Sequence, residues 1–144
     1  MNSDVDHLCG ERVGSSKRVV VYVYKPDPRY VIKVPTKKEN GHNKTEFLNG
    51  QTLIDAGLGD WIAPCRLEQG CIVMERTEPM TVDDLPESVP ACLKVDATMD
   101  NFGLINGRPV MHDYHMLEMH KGKELVSLDT ERNRQERIRR SLQE

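Results

Sequence analysis

Arg18-Val-Val-Val-Tyr-Val-Tyr-Lys-Pro-Asp-Pro-Arg-Tyr-Val-Ile-Lys-Val34 decides the fold class of this 144-residue chain. Residues 18–24 are β-branched and aromatic, the types that fit a pleated, half-buried surface, so they read as a strand. Lys25-Pro-Asp-Pro-Arg29 is a turn, because two prolines fix φ and remove backbone donors. Tyr30-Val-Ile-Lys-Val34 is a second strand, closing a hairpin that Pro35 ends. Lys33 interrupts this apolar run between Ile32 and Val34. An ammonium there either snorkels to solvent from a half-exposed strand or needs a buried anion beside it.

Outward from the hairpin, residues 1–16 are polar and irregular, with Gly10 and Gly14. Residues 36–43 form a polar loop. Residues 44–56 read as a helix with Phe47, Leu48, Leu53 and Ile54 as its apolar residues, stopped by Gly57. Glu46 opens that helix, where a carboxylate complements the helix dipole. Apolar runs at 61–67 and 71–75 flank Glu68-Gln-Gly70 and make a second hairpin. Residues 77–91 contain Pro79, Pro86 and Pro90 and read as a linker with at most one short helix. Residues 102–104 and 109–113 flank Asn106-Gly107, a type I′ turn signal. Residues 123–144 read as helical. The fold class expected is α+β, in one domain.

Bulk composition excludes more than it selects. The net charge of -3, with 30% charged residues, gives no global pull toward nucleic acid or a membrane. No apolar run is long enough to span a bilayer. Cys9, Cys65, Cys71 and Cys92 form no C-x-x-C pair, so zinc is a poor reading and free thiols in a reducing cytoplasm are expected. His112 and His115 bracket Asp113, but residues three apart on a strand point to opposite faces, which argues against a shared metal.

Chemistry concentrates in Lys94-Val-Asp-Ala-Thr-Met-Asp-Asn-Phe-Gly-Leu-Ile-Asn-Gly-Arg-Pro-Val-Met-His-Asp-Tyr-His115. Asp96, Asn101 five residues later, a hairpin, and Asp113 ending an apolar strand form a phosphoryl-transfer layout. One carboxylate orients a hydroxyl, while an amide and a second carboxylate hold Mg2+ against phosphates. Turn and cap chemistry is the plainer use of the same residue types.

This spacing resembles the catalytic and metal-binding loops of the protein-kinase-like superfamily, including its small-molecule kinases. Asp96 and Asn101 match H-R-D-x-x-x-x-N with Lys94 and Val95 in place of His and Arg. Asp113 matches the D-F-G aspartate, though Tyr114 and His115 follow it. Val-Ile-Lys-Val34 resembles the V-A-I-K strand, and Glu46 stands where the family carries the glutamate that pairs with that lysine. Cys71-Ile-Val-Met-Glu-Arg-Thr77 is similar to the strand leading to the hinge. The likeness puts Met74 at the gatekeeper position and turns the backbone of Glu75 and Thr77 toward an adenine edge. Gly10-Glu-Arg-Val-Gly-Ser-Ser-Lys-Arg-Val19 departs from the glycine-rich loop, with Gly14 and Ser15 left to offer backbone donors to phosphates.

The resemblance implies a kinase-like N-lobe over 8–76, a linker at 77–92, a catalytic and metal loop region at 93–115, and a helical tail at 116–144 in place of a full C-lobe. It implies ATP and Mg2+ as cofactors and phosphate transfer to an unknown protein or small-molecule acceptor. A pseudokinase-type interaction module is the alternative. The compactness suggests a bacteriophage or mobile-element gene. Arg132, Arg134, Arg137, Arg139 and Arg140 of the tail form either a solvated face or a dock for an acidic partner, a second subunit or nucleic acid. Ile138 and Leu142, at i,i+4, point to a packed helix.

Overall fold

The computed structural model describes residues 3–36 and 41–128, together with 134–135, 138–139 and 141–142 of the tail. It divides into two compact units, Met1–Arg76 and Thr77–Glu144. The architecture is α+β, with one five-stranded antiparallel sheet and one main helix.

The first unit is built on β1 (Cys9–Ser15), β2 (Val19–Tyr24), β3 (Tyr30–Pro35), β4 (Cys65–Glu68) and β5 (Cys71–Glu75), in the order β1-β2-β3-β5-β4. Helix α1 (His42–Asp55) crosses between β3 and β4. Registers of Val21 with Lys33, Val23 with Val31, Lys33 with Ile72 and Val31 with Met74 put these side chains on one face. The other face carries Tyr24, Ile32, Val34, Cys71 and Val73, packed with Val5 and Leu8 from the 3-10 segment Ser3–Leu8. Gln69 and Gly70 both have positive φ, which gives the tight β4–β5 turn a twist matching its strands.

Four sequence expectations change in this unit. Residues 1–16 are not irregular: Cys9–Ser15 is an edge strand. Its side chains are mostly exposed and its pairing with β2 is interrupted by two register shifts, so no apolar alternation marks it. The fourth strand starts at Cys65 rather than 61, because Gly59–Trp61 is a 3-10 turn and Pro64 has no N–H to ladder. Helix α1 starts at His42, two residues earlier than read, so Glu46 lies one turn in and not at its opening. Its buried stripe is His42, Asn43, Glu46, Gly50 and Leu53, while Leu48 and Ile54 face outward. Apolar periodicity could not find a buried face that is mostly polar.

The second unit contains two short antiparallel pairs. β7 (Phe102–Ile105) and β8 (Arg108–Met111) turn at Asn106 and Gly107, both with positive φ as the type I′ signal requires. β6 (Ser88–Pro90) pairs with β9 (Leu125–Ser127). Glu78 bridges Leu104, and a Cβ at Gly103 would collide with the Thr77 side chain and come within 3.1 Å of Glu78 O. That close approach explains the glycine. The stretch read as a linker therefore holds the strand β6 and the capped 3-10 turn Val82–Asp84, where Thr81 N donates to Asp84 Oδ2 at 3.0 Å.

The stretch read as helical from 123 begins instead with strand β9, and the region from 116 holds a 3-10 turn, Met119–Lys121. Backbone bonds of Ala91 N to Glu124 O (2.8 Å), Cys92 N to Gly122 O (2.9 Å) and Glu118 N to Cys92 O (3.0 Å) lace this return segment onto the 3-10 helix Ala91–Asp96. Three-residue strands leave too short a pattern to read. In the tail, the described residues are helical, and Ile138 and Leu142 are 55% and 83% exposed, so they do not pack on the body. Arg132, Arg137 and Arg140 lie outside the described residues.

Candidate functional site

In the first unit Lys33 is held on the inner strand β3 and its Nζ lies 2.6 Å from Glu46 Oε1 of α1. The side chains are 8% and 0% exposed, so this is a buried ion pair and not a snorkelling lysine. Asn43 fixes the start of α1 beside it. Its Nδ2 donates to Lys33 O at 2.9 Å and to Gly70 O at 3.1 Å, tying the helix to β3 and to the β4–β5 turn. Sequence reasoning missed Asn43, whose position one turn before Glu46 was its only signal.

The sheet face bearing Lys33 also presents Val21, Val23 and Val31, all half-buried, beside the fully buried Ile72 and Met74. An apolar floor next to an ammonium can receive a flat ring with an anionic tail. Glu75 N donates to Pro64 O at 3.1 Å, so that N–H is spent. The carbonyl of Glu75 has a different fate. Cys65 pairs with Met74, which sets Pro64 opposite Glu75, and proline carries no N–H to donate back. Pro64 therefore cannot donate to the Glu75 carbonyl, a feature legible only once the register is known. Gly14 and Ser15 lie in β1, opposite Val21 and Val20, where Ser16 N to Val19 O (2.8 Å) closes the hairpin tip. Ser15 Oγ accepts from Arg12 Nη2 at 2.9 Å.

The second unit gathers Asp96, Asn101, Asp113 and His115. Asp96 ends the 3-10 helix Ala91–Asp96 and Asn101 ends the 3-10 turn Met99–Asn101. Asn101 Nδ2 donates to Asp96 O at 2.8 Å, and Asp96 Oδ2 accepts from Met116 N at 2.8 Å. With its NH2 committed, the side chain of Asn101 offers its amide oxygen as the remaining acceptor. Asp113 follows β8, half-buried, and among the described residues its carboxylate takes part in no hydrogen bond or ion pair.

Burial pushes the Asp96 carboxyl above its ordinary 3.8; the Met116 N–H pulls it back, the Asp113 carboxylate adds to the rise, and His115 lowers it. Asp113 and His115 therefore lie close enough to Asp96 for their charges to act on it. Two carboxylates and an amide oxygen are hard donors of the kind Mg2+ takes. Thr77 belongs to this unit, with its side chain against Gly103.

All four cysteines are free thiols. Among the described residues no helix is long and apolar enough to cross a membrane. No protein-family model and no curated protein matches the chain.

Proposed function

We propose that the chain is a reduced kinase-like protein that binds ATP with Mg2+ and transfers a phosphoryl group to a protein or small-molecule acceptor. The observation that carries this reading is the buried Lys33–Glu46 pair. Stability does not call for it, since an apolar pair of equal volume is commonly neutral or more stable by about 1–4 kcal/mol. An ammonium locked by a carboxylate beside an apolar floor is, however, a fixed contact for phosphate oxygens. In this reading Val23 and Val31, backed by the buried Met74, receive the purine and the Glu75 carbonyl accepts from its amino group. Lys33 holds the phosphates, Glu46 fixes Lys33, and Gly14 and Ser15 lie at the phosphate-covering hairpin. Asp96 orients and deprotonates the acceptor hydroxyl. Asn101 and Asp113 hold the cation, which when bound neutralises phosphate charge.

A pseudokinase-type interaction module is favoured by one observation: Asp96 Oδ2 already accepts from Met116 N, so one oxygen of the supposed base is committed to backbone. Thermal shift separates binding from its absence. ATP with Mg2+ should raise the melting point more than ATP alone, because a ligand of the native state stabilises it by mass action. No shift with either would overturn both nucleotide-binding readings. Transfer of label from ATP to an acceptor in a lysate, lost in Asp113→Asn, would select the enzyme over the module.

A further inference from the structure

We propose that His112 is a positioning residue that sets the Asn101 amide and the Asp113 carboxylate for one cation. The inference rests on the reading of Asn101 and Asp113 as cation ligands. The β7–β8 ladder runs only to Phe102 opposite Met111, so both ligands lie just beyond its last pair. Strand ends fray unless something ties them. His112 is what ties this one. Its N–H donates to Asn101 O at 2.9 Å, and its ring Nε2 lies 3.1 Å from Phe102 O.

A carbonyl oxygen can only accept, so Nε2 carries the proton in this contact and the imidazole acts as a donor. One residue thus grips two successive carbonyls, those of Asn101 and Phe102. Asn101 is also held by its own N–H to Thr98 O at 3.0 Å and by Nδ2 to Asp96 O at 2.8 Å. Its backbone is fixed from both sides and its amide NH2 from a third, which leaves the amide oxygen with one orientation. Because His112 precedes Asp113 directly, the same clamp fixes where the next carboxylate leaves the strand. A histidine ring nitrogen is a poor ligand for a hard cation, and Nε2 is already spent. The role assigned is therefore to orient ligands, the work that hydrogen-bonded neighbours of metal ligands do elsewhere.

The test uses the full chain and reads the Mg2+ concentration at the midpoint of the ATP-dependent thermal shift. His112→Ala should raise that midpoint by about 10- to 100-fold, with a smaller change in the ligand-free melting point. His112→Gln, whose amide NH2 reaches as far as Nε2, should restore the wild-type midpoint. His112→Asn, whose amide falls short of Phe102 O, should behave as alanine does. If alanine does not fold, the Gln and Asn variants decide, and equal midpoints for the two overturn the proposal. An unchanged midpoint in alanine overturns it as well, while the nucleotide reading stands on the wild-type response. A wild type with no Mg2+-dependent response removes both.

Discussion

A carboxylate half-buried beside a second carboxylate is costly to ionise, and Asp96 is held in that position. Its folded pKa lies above the ordinary value of 3.8, with burial as the leading cause. A raised acid holds its proton more tightly in the folded state. Its stabilising contribution is complete below the unfolded pKa and is lost as pH rises through the folded one. Once pH has risen through that folded pKa, the ionised Asp96 is a net liability to stability. Asp96→Asn should raise the melting point at pH 7 to 8, because asparagine still accepts from Met116 N without the charge. The gain should shrink as pH falls through the folded pKa, because wild-type Asp96 then takes up its proton. The same variant should lower turnover by about 10²- to 10⁴-fold as a lost general base does, while ATP and Mg2+ still bind. A melting point that falls at neutral pH in Asp96→Asn would show the carboxylate to be structural. By contrast, burial pushes the Cys71 thiol up to about 11, which leaves it protonated and unreactive at neutral pH.

Between β3 and α1 the connection is ionic, and this determines how variants there behave. Lys33→Met leaves Glu46 buried without its cation, a change that costs about 3–5 kcal/mol in comparable pairs. That is a large part of the roughly 5–15 kcal/mol that holds a domain folded. Chemical denaturation should therefore show Lys33→Met strongly destabilised. Lys33→Met combined with Glu46→Met should recover most of the stability, because both charges go together. Nucleotide affinity should not return with it. A double variant that binds ATP as wild type would mean that Lys33 serves only the helix.

The same elements show what could be read beforehand. The β2–β3 hairpin was legible because 18–24 and 30–34 are dense in β-branched residues and separated by prolines. Asn106-Gly107 was legible because few other pairs accept two positive φ values. Lys33 and Glu46 were legible as a pair only through spacing and likeness. Strand β1 was not, because its side chains face water and backbone alone pairs it. The β6–β9 pair was not, because three residues carry no period and their partners lie far apart in sequence. Asn43, Val23 and the Pro64–Glu75 register needed three dimensions: each acts through a neighbour on another strand or helix.

Each unit by itself holds its polar chemistry in well-tied segments, and the tail is the end of the second unit. The helical spacing of Ile138 and Leu142 suggested a packed tail, and both side chains are exposed. Exposure changes the expected effect of removing 129–144. Two aliphatic side chains buried on the body would contribute about 3–6 kcal/mol before entropy. That would move the melting point of a chain this size by several degrees, since each kcal/mol is worth roughly 2–8 °C. Exposed, they contribute little to the isolated chain, so the truncated protein should melt close to the full-length protein at low concentration. A second copy is the occupant that would change this. In that case the full-length melting point should rise with protein concentration while the truncated one stays constant, because only an assembly makes stability depend on protomer concentration. Arg134 and Arg139, both exposed, add a second readout. Docking of the tail on an acidic surface should weaken as salt rises, with the Debye length falling from about 10 Å at 0.1 M to about 3 Å at 1 M. Scanning calorimetry at two concentrations and sedimentation at two salt levels check all of this. A truncated protein that melts several degrees lower at micromolar concentration, with unchanged mass, would show instead that the tail packs on its own chain.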